Sequence, residues 1–309
     1  MNDKIRAAVI GVGYLGRFHA QKYAAMEDVE LVAVADIDPD RAKEIALETG
    51  TAAVTDYSEL IGKVDAVSIV VPTSLHRETA IPFLLNGTAV LLEKPMSATI
   101  EESQAIIDAA EKGGATLQIG HLERFNPAFA NLRDSITKPM FIEVHRISTF
   151  KERGTDVDVI LDLMIHDIDI ILSLVHSNIV SVEAVGVPVL TNNVDIANAR
   201  LRFESGCIAN VTASRISADV MRKIRIFQPD AYISIDYAKN AVDIFTLSQD
   251  KKIGHKRLEM SESDALKSEI RSFIDAVKGK SKVVVDGIAG LNAIKVAHMI
   301  RQNMILPEN

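Results

Sequence analysis

The stretch Ile5–Gly16, IRAAVIGVGYLG, constrains the fold of this chain more than any other. Its apolar run, Ile5-Arg6-Ala7-Ala8-Val9-Ile10, has the length of a buried parallel strand. The run breaks at Gly11, Gly13 and Gly16, the spacing G-x-G-x-x-G, and an amphipathic segment from Tyr14 to Tyr23 follows. This order predicts strand, tight turn and helix. Gly11 lets the backbone reverse, Gly13 leaves the main chain open to a pyrophosphate, and Gly16 lets the helix pack closely on the sheet. Val12, Tyr14 and Leu15 complete the turn. A helix beginning there aims unpaired N–H groups and its positive dipole end at phosphates.

Glycines also cluster in ordinary turns, so the context decides. A second apolar run, Glu30–Ala35, ends in Asp36, twenty positions past Gly16. That is near the distance expected of a carboxylate that accepts hydrogen bonds from the adenosine ribose. The plainer alternative is a strand–turn–helix in which Asp36 only caps the next helix. A carboxylate at this place repels a 2′-phosphate, so NAD is the expected cofactor over NADP. Arg41 would keep NADP open, but it is expected on the exposed face of the helix from Asp38, which Asp38 caps and Pro39 opens.

Strands and helices alternate through the first 120 or so residues. Val64–Val71, Ala89–Leu92 and Thr116–Ile119 read as strands; Pro39–Thr49, Ser74–Leu85 and Ile100–Lys112 read as helices. This is the pattern of a doubly wound parallel sheet. The pattern then changes. Phe141–Thr149 alternates with period two, and Val180–Val189, Val194–Phe203, Ile208–Ser214, Lys223–Phe227, Ala231–Tyr237 and Val242–Leu247 are strand-like between short polar turns. These predict a large open, mainly antiparallel sheet with one face exposed. A helix over Val157–Val175 interrupts it, and Ala265–Val277 and Gly287–Gln302 close the chain as helices. The expected division is 1–122, a Rossmann domain, and 123–309, an α+β substrate-binding and oligomerisation domain, whose last helices are free to pack back on the first.

Composition excludes several classes. The chain has 309 residues, 48% hydrophobic, enough for two ordinary domains. A formal net charge of −8 and the lack of a basic run argue against nucleic acid as a partner. The lone Cys207 rules out an internal disulfide or a cysteine-based zinc site and reads as a packed thiol. The opening MNDKIR does not read as a secretory leader. No apolar run nears the ~20 residues of a membrane span. A cytoplasmic protein is expected, and the exposed sheet face suits a homo-oligomer, dimer or tetramer.

Three segments carry candidate chemistry. Glu93-Lys94-Pro95 follows a parallel strand, and ligands of open α/β sheets bind at the carboxyl ends of strands, so Lys94 is expected to face the cofactor. Its plain alternative is a surface lysine. Asp162-Leu163-Met164-Ile165-His166-Asp167-Ile168-Asp169 places Asp162, His166 and Asp169 on one helical face. Charges in so apolar a helix must be paired or used. The alternatives are a solvated acidic face or a proton-transferring His166; one His and two carboxylates fall short of a metal site. In Gly120-His121-Leu122-Glu123-Arg124-Phe125-Asn126-Pro127, the residues His121, Arg124 and Asn126 are substrate-binding candidates. Arg124 would hold an anion such as a diphosphate or would pair with Glu143 or a helix end. Pro72-Thr73 with His76 also follows a strand end and is assigned to the cofactor.

These motifs together resemble the glucose–fructose oxidoreductase and inositol dehydrogenase (Gfo/Idh/MocA) family of NAD(P)-dependent sugar dehydrogenases. The resemblance runs nearly end to end, through Gly11–Gly16, Pro72-Thr73 with His76, Glu93-Lys94-Pro95 and the Asp162/His166/Asp169 spacing. It implies that Lys94, Asp162 and His166 serve catalysis: His166 as base toward a sugar hydroxyl, Lys94 as hydrogen-bond donor to the same oxygen, Asp162 orienting them. The octapeptides beginning at Gly120 and Asp162 are similar to those of UDP-N-acetylglucosamine 3-dehydrogenases, and Phe227-Gln228-Pro229-Asp230-Ala231-Tyr232 adds to this. Many relatives have a Gly-rich stretch before the Asp and a Gly between Asp and His; here Val159-Ile160-Leu161 and Met164 stand instead. The resemblance implies a nucleotide-sugar substrate. A free sugar or polyol, and a non-enzymatic NAD-binding sensor, are the alternatives.

Overall fold

The computed structural model describes residues 4–150, 157–260 and 264–306. Met1–Asp3, part of the opening segment discussed above, lie outside them. Two compact units are present. One takes the chain up to Leu122 together with Asp264–Ile294; the other takes the chain from Glu123 onward and its end from Lys295.

The first unit is a six-stranded, wholly parallel sheet. Its elements are β1 (Ile5–Ile10), α1 (Tyr14–Ala24), β2 (Val29–Ala35), α2 (Pro39–Thr49), β3 (Ala52–Val54), β4 (Ala66–Ile69), α3 (His76–Leu85), β5 (Ala89–Glu93), α4 (Ile100–Gly113) and β6 (Leu117–Gly120). The strand order is β3-β2-β1-β4-β5-β6, with every pair parallel. Order reverses between β1 and β4, the switch point at which doubly wound sheets bind ligands. Strands β4, β5 and β6 are buried at every position, which explains their continuous apolar sequences.

The second unit is built on a nine-stranded sheet. A short helix, α5 (Pro127–Ala130), precedes β7 (Phe141–Ile147), and α6 (Ile165–Leu174) follows it. Then come β8 (Ile179–Val187), β9 (Ile196–Phe203), β10 (Ile208–Ser214), β11 (Met221–Gln228), β12 (Ala231–Asp236), β13 (Ala241–Leu247) and β14 (Ile253–Glu259). Helices α7 (Ala265–Val277) and α8 (Gly287–Gln302) and strand β15 (Met304–Ile305) complete the chain. The order is β14-β13-β12-β11-β7-β10-β9-β8-β15. Most pairs are antiparallel, but β7 with β10 and β8 with β15 run parallel. Burial alternates along β7 and β9, as one covered and one open face require.

Two departures from the sequence reading have physical causes, and a third feature, the packing of α7, is one that the reading allowed. Strand β14 is exposed at nearly every position, so it carries no apolar alternation to read. The helix expected over Val157–Val175 opens instead with a π-helical turn, Ile160–Met164. Helix α7 places Ile270, Phe273 and Ile274 in the core of the first unit with Ala7, Val9, Tyr23 and Leu91. Its apolar stripe is legible in the sequence, but not the sheet that covers it.

Candidate cofactor and catalytic residues

The glycine turn takes the predicted form. Gly11 has φ +83, and a Cβ there would lie 2.7 Å from the Val70 carbonyl oxygen. At Gly16 a Cβ would lie 1.9 Å from the Gly11 carbonyl oxygen, so α1 packs directly on the turn. At Gly13 a Cβ would meet nothing within 4 Å. That open space lies at the N-terminus of α1, which has no side-chain cap, so its N–H groups are left to an anion. Asp36 braces the turn: its Oδ2 accepts the Val12 N–H at 2.9 Å and its Oδ1 the Asp38 N–H at 3.0 Å. The helix cap is Asp38, not Asp36, with Pro39 next to it. Arg41 does not simply face solvent. Its Nη1 reaches Asp36 Oδ1 at 3.2 Å, and its Nη2 reaches Asp38 Oδ2 at 3.2 Å. Gly11, Gly13, Asp36, Arg41, Tyr57, Pro72 and others line a cavity of ≈ 410 Å³, room for part of a dinucleotide.

The Lys94 turn is held from two sides within the same unit. Glu93, at the end of β5, is buried. Its Oε1 lies 3.2 Å from His19 Nε2, and its Oε2 accepts the Lys94 N–H at 3.2 Å. Gly120, at the end of β6, makes room: a Cβ there would be 3.1 Å from the Glu93 carboxyl. On the other side, His76 is buried, its Nδ1 3.0 Å from the Pro95 carbonyl oxygen and its Nε2 3.0 Å from that of Val71. Both ring nitrogens thus engage protein carbonyls. Thr73 opens the short 3₁₀ turn before it. His121 is buried directly after β6.

In the second unit, the acids of the Asp162–Asp169 segment separate into two kinds. Asp169 takes a bidentate grip from Arg124, Nε to Oδ2 at 2.6 Å and Nη2 to Oδ1 at 2.9 Å. Asp167 is gripped the same way by Arg146, at 2.7 and 2.8 Å, and Arg146 also reaches Glu123 Oε1 at 3.0 Å. All four of these paired side chains on Arg124, Asp169, Arg146 and Asp167 are buried. Asp162 and His166 are only half-buried. Asp162 lies in the π turn, a feature common at functional sites. Arg124 therefore spends its fork on Asp169, the structural use of its guanidinium. Glu143, the partner considered for it, pairs instead with Arg225 at 2.6 Å. Asn126 caps α5, accepting the Ala128 N–H at 3.0 Å.

Residues 5–121 match the family model described as "Oxidoreductase family, NAD-binding Rossmann fold", and residues 118–234 match that of the GFO/IDH/MocA C-terminal domain. A UDP-N-acetylglucosamine 3-dehydrogenase of Acidithiobacillus ferrooxidans is 39% identical over 96% of each chain. The chain belongs to the Gfo/Idh/MocA family. Its fold agrees over the full length: a solved structure of the Acidithiobacillus enzyme superposes with a TM-score of 0.92, covering 97% of this chain and 98% of that one. A more distant member, a scyllo-inositol 2-dehydrogenase (NAD(+)) of Bacillus subtilis, is 32% identical over 70% of this chain and 69% of its own.

This family member is an NAD-binding oxidoreductase, which removes the sensor reading. Sequence reasoning had passed over His19 and Glu269. His19 had a signal: with Gly16, Ala20 and Tyr23 it occupies the buried face of α1 at helical spacing. Glu269 had one too, since it stands in the apolar stripe of α7 beside Ile270 and Phe273.

Proposed function

We propose that this oxidoreductase removes hydride from a secondary hydroxyl of a nucleotide sugar, UDP-N-acetylglucosamine at C3, with NAD as acceptor. The observation that carries this reading is the 39% identity to a UDP-N-acetylglucosamine 3-dehydrogenase, extending over 96% of both chains. Bound NAD supplies the hydride acceptor; the residues of this chain supply geometry and proton management. The turn Gly11–Gly16 with Asp36, Pro72-Thr73 and the Glu93-Lys94 segment held by His76 would hold it. His166 takes the hydroxyl proton onto a ring nitrogen as the carbon loses hydride, leaving a ketone. Lys94 hydrogen-bonds the reacting oxygen and stabilises charge that develops there. Asp162, four residues before His166 on the same segment, orients it. His121, Arg124 and Asn126 shape the substrate side, Arg124 through its pairing with Asp169. These roles follow the family resemblance of the motifs that carry them.

The test is reduced-nicotinamide absorbance with a panel of nucleotide sugars, free sugars and polyols, with NAD and NADP in parallel. Turnover confined to nucleotide sugars supports the reading. Preference for a free inositol favours the polyol reading, which the scyllo-inositol 2-dehydrogenase relative supports. His166→Ala should lower kcat by ~10²–10⁴, the usual worth of general-base help, with NAD affinity nearly unchanged. Wild-type turnover in that variant removes His166 from the role.

A cytoplasmic homo-oligomer, dimer or tetramer, is part of the same reading. No helix among the described residues is long and apolar enough to cross a membrane. On the open face of the second sheet, Phe141, Phe227, Tyr232, Phe245 and His255 form a continuous stack across five strands, with ring centroids 4.2–5.7 Å apart. Light scattering after gel filtration tests it; a monomer at micromolar concentration would reject it.

A further inference from the structure

Near the Lys94 turn lies a buried ionisable group, Glu269, that no role above uses. Glu269 of α7 is fully enclosed, and neither carboxyl oxygen has a hydrogen-bond partner among the described residues. Gln118 of β6 gives its amide N–H to the main-chain carbonyl of Glu269, at 3.3 Å, not to the carboxyl. Tyr23 of α1 directs its hydroxyl to Ser68 Oγ, at 2.8 Å. Glu93 is engaged on both oxygens, by His19 and by the Lys94 N–H. The ionisable groups facing these two carboxyls are His19 and Tyr23 from α1, His76 from α3 and Lys94 from the end of β5.

An anion at Glu269 would be stripped of water, given no donor and set against a second carboxylate. Each of these disfavours the charged form. We infer that Glu269 holds its proton at neutral pH, that Glu93 is the single anion of this cluster, and that Glu93, braced by His19, positions Lys94. The last part rests on the catalytic reading of Lys94; the protonation of Glu269 does not. Burial, then the Glu93 charge, pushes Glu269 well above the usual carboxylate range. Burial also lifts Glu93, but His19, 3.2 Å from its Oε1, and the charge of Lys94 outweigh it, so Glu93 lies below its ordinary value. Two neighbouring carboxyls driven in opposite directions give one neutral acid and one anion.

Infrared spectroscopy of the full chain decides the first part. The wild-type protein should show the C=O absorption of a protonated carboxyl at neutral pH, where exposed Asp and Glu are ionised. The band should vanish in Glu269→Gln and survive in Glu93→Gln. Its absence from the wild-type protein, a measurement that needs no variant to fold, overturns the inference, as does its persistence in Glu269→Gln or its loss in Glu93→Gln. The pH dependence of turnover decides the second part. Losing the Glu93 anion should move the alkaline limb about one to three units toward acid and lower kcat by up to about 10²-fold, with KM for NAD little changed. Glu93→Asp, which keeps the charge, should keep the limb near its wild-type place. A limb unmoved in Glu93→Gln, or moved equally in Glu93→Asp, overturns the positioning role. Lys94→Ala separates the two readings. Wild-type turnover there sinks the catalytic reading of Lys94, while the infrared band still reports on Glu269.

Discussion

Asp167 and Asp169 of α6 are as deeply buried as Glu269 of α7, yet they meet opposite surroundings. In the second unit each acid receives a two-point grip from an arginine delivered by another segment, Arg146 from β7 and Arg124 from the turn before α5. In the first unit Glu269 has no donor among the described residues and faces Glu93. Burial alone therefore does not fix the charge of a carboxyl. Burial is the largest influence on Asp167 and raises it, with the Arg146 charge and its two hydrogen bonds pulling the other way; Glu269 has no such counterweight, which leaves protonation as its less costly state. The paired acids find their cations inside the second unit, whereas a Glu269 that keeps its proton leaves Glu93 as the one anion beside the Lys94 turn.

The largest effect that would break this contrast lies at Arg146. Asp167→Ala leaves a buried guanidinium short of its main partner, and removal of one member of a buried pair typically costs about 3–5 kcal/mol. The denaturation midpoint should fall accordingly. The double variant Arg146→Met with Asp167→Leu should recover much of the loss, because well-packed apolar residues often replace a buried pair without cost. A single variant as stable as wild type would mean that Asp167 is not ionised, and the distinction between the units would disappear.

What the sequence disclosed follows the same division between local and distant causes. The turn Gly11–Gly16 was legible because its constraints are local: a positive φ at Gly11 and a 1.9 Å approach at Gly16 allow no side chain. The parallel strands were legible because burial on both faces leaves continuous apolar runs. The charges of Asp162–Asp169 were marked as paired or used, but not which was which. Their partners lie 21 and 45 residues away, and pairing at that range depends on the folded sheet. Arg124 shows the consequence. As a lone cation after a strand end it suggests an anion site, yet the fold supplies Asp169. Strand β14 escaped because exposed strands carry no alternation, and the π turn over Ile160–Met164 because nothing in ILDLM distinguishes it from an α-helical turn.

A medium effect should sharpen the contrast from the other side. A carboxyl raised by folding binds its proton more tightly when folded than unfolded. Its contribution to stability is complete below the unfolded value and is lost as pH rises toward the folded value. For Glu269 that decline runs upward from the ordinary carboxylate range. Glu269→Gln removes the titration, so the variant should gain on wild type as pH rises from acid to mildly alkaline. Melting temperatures of the two proteins measured across that range check it; parallel curves would show that Glu269 does not titrate on unfolding. Asp195 should behave in the opposite way. Burial works against its charge, but the N–H groups of Val189, Leu190 and Thr191 and the Thr191 hydroxyl hold it down to about 2. Its stabilisation is present above the unfolded value and is lost only as pH falls toward about 2.

The smallest expected effect isolates burial from pairing. Arg225 and Glu143 approach to 2.6 Å on the open face of the second sheet, with side chains 34% and 30% exposed. The distance matches that of the Arg124–Asp169 contact, 2.6 Å. If pairing geometry set the energy, Glu143→Gln would cost as much as Asp169→Asn. If burial sets it, water screens the half-exposed pair and the loss stays within about 1 kcal/mol, because Arg225 can be rehydrated while Arg124 cannot. Denaturant midpoints of the two variants, compared in low and high salt, distinguish these cases. Only the Glu143→Gln difference should shrink further in high salt, since screening acts on charges that solvent reaches.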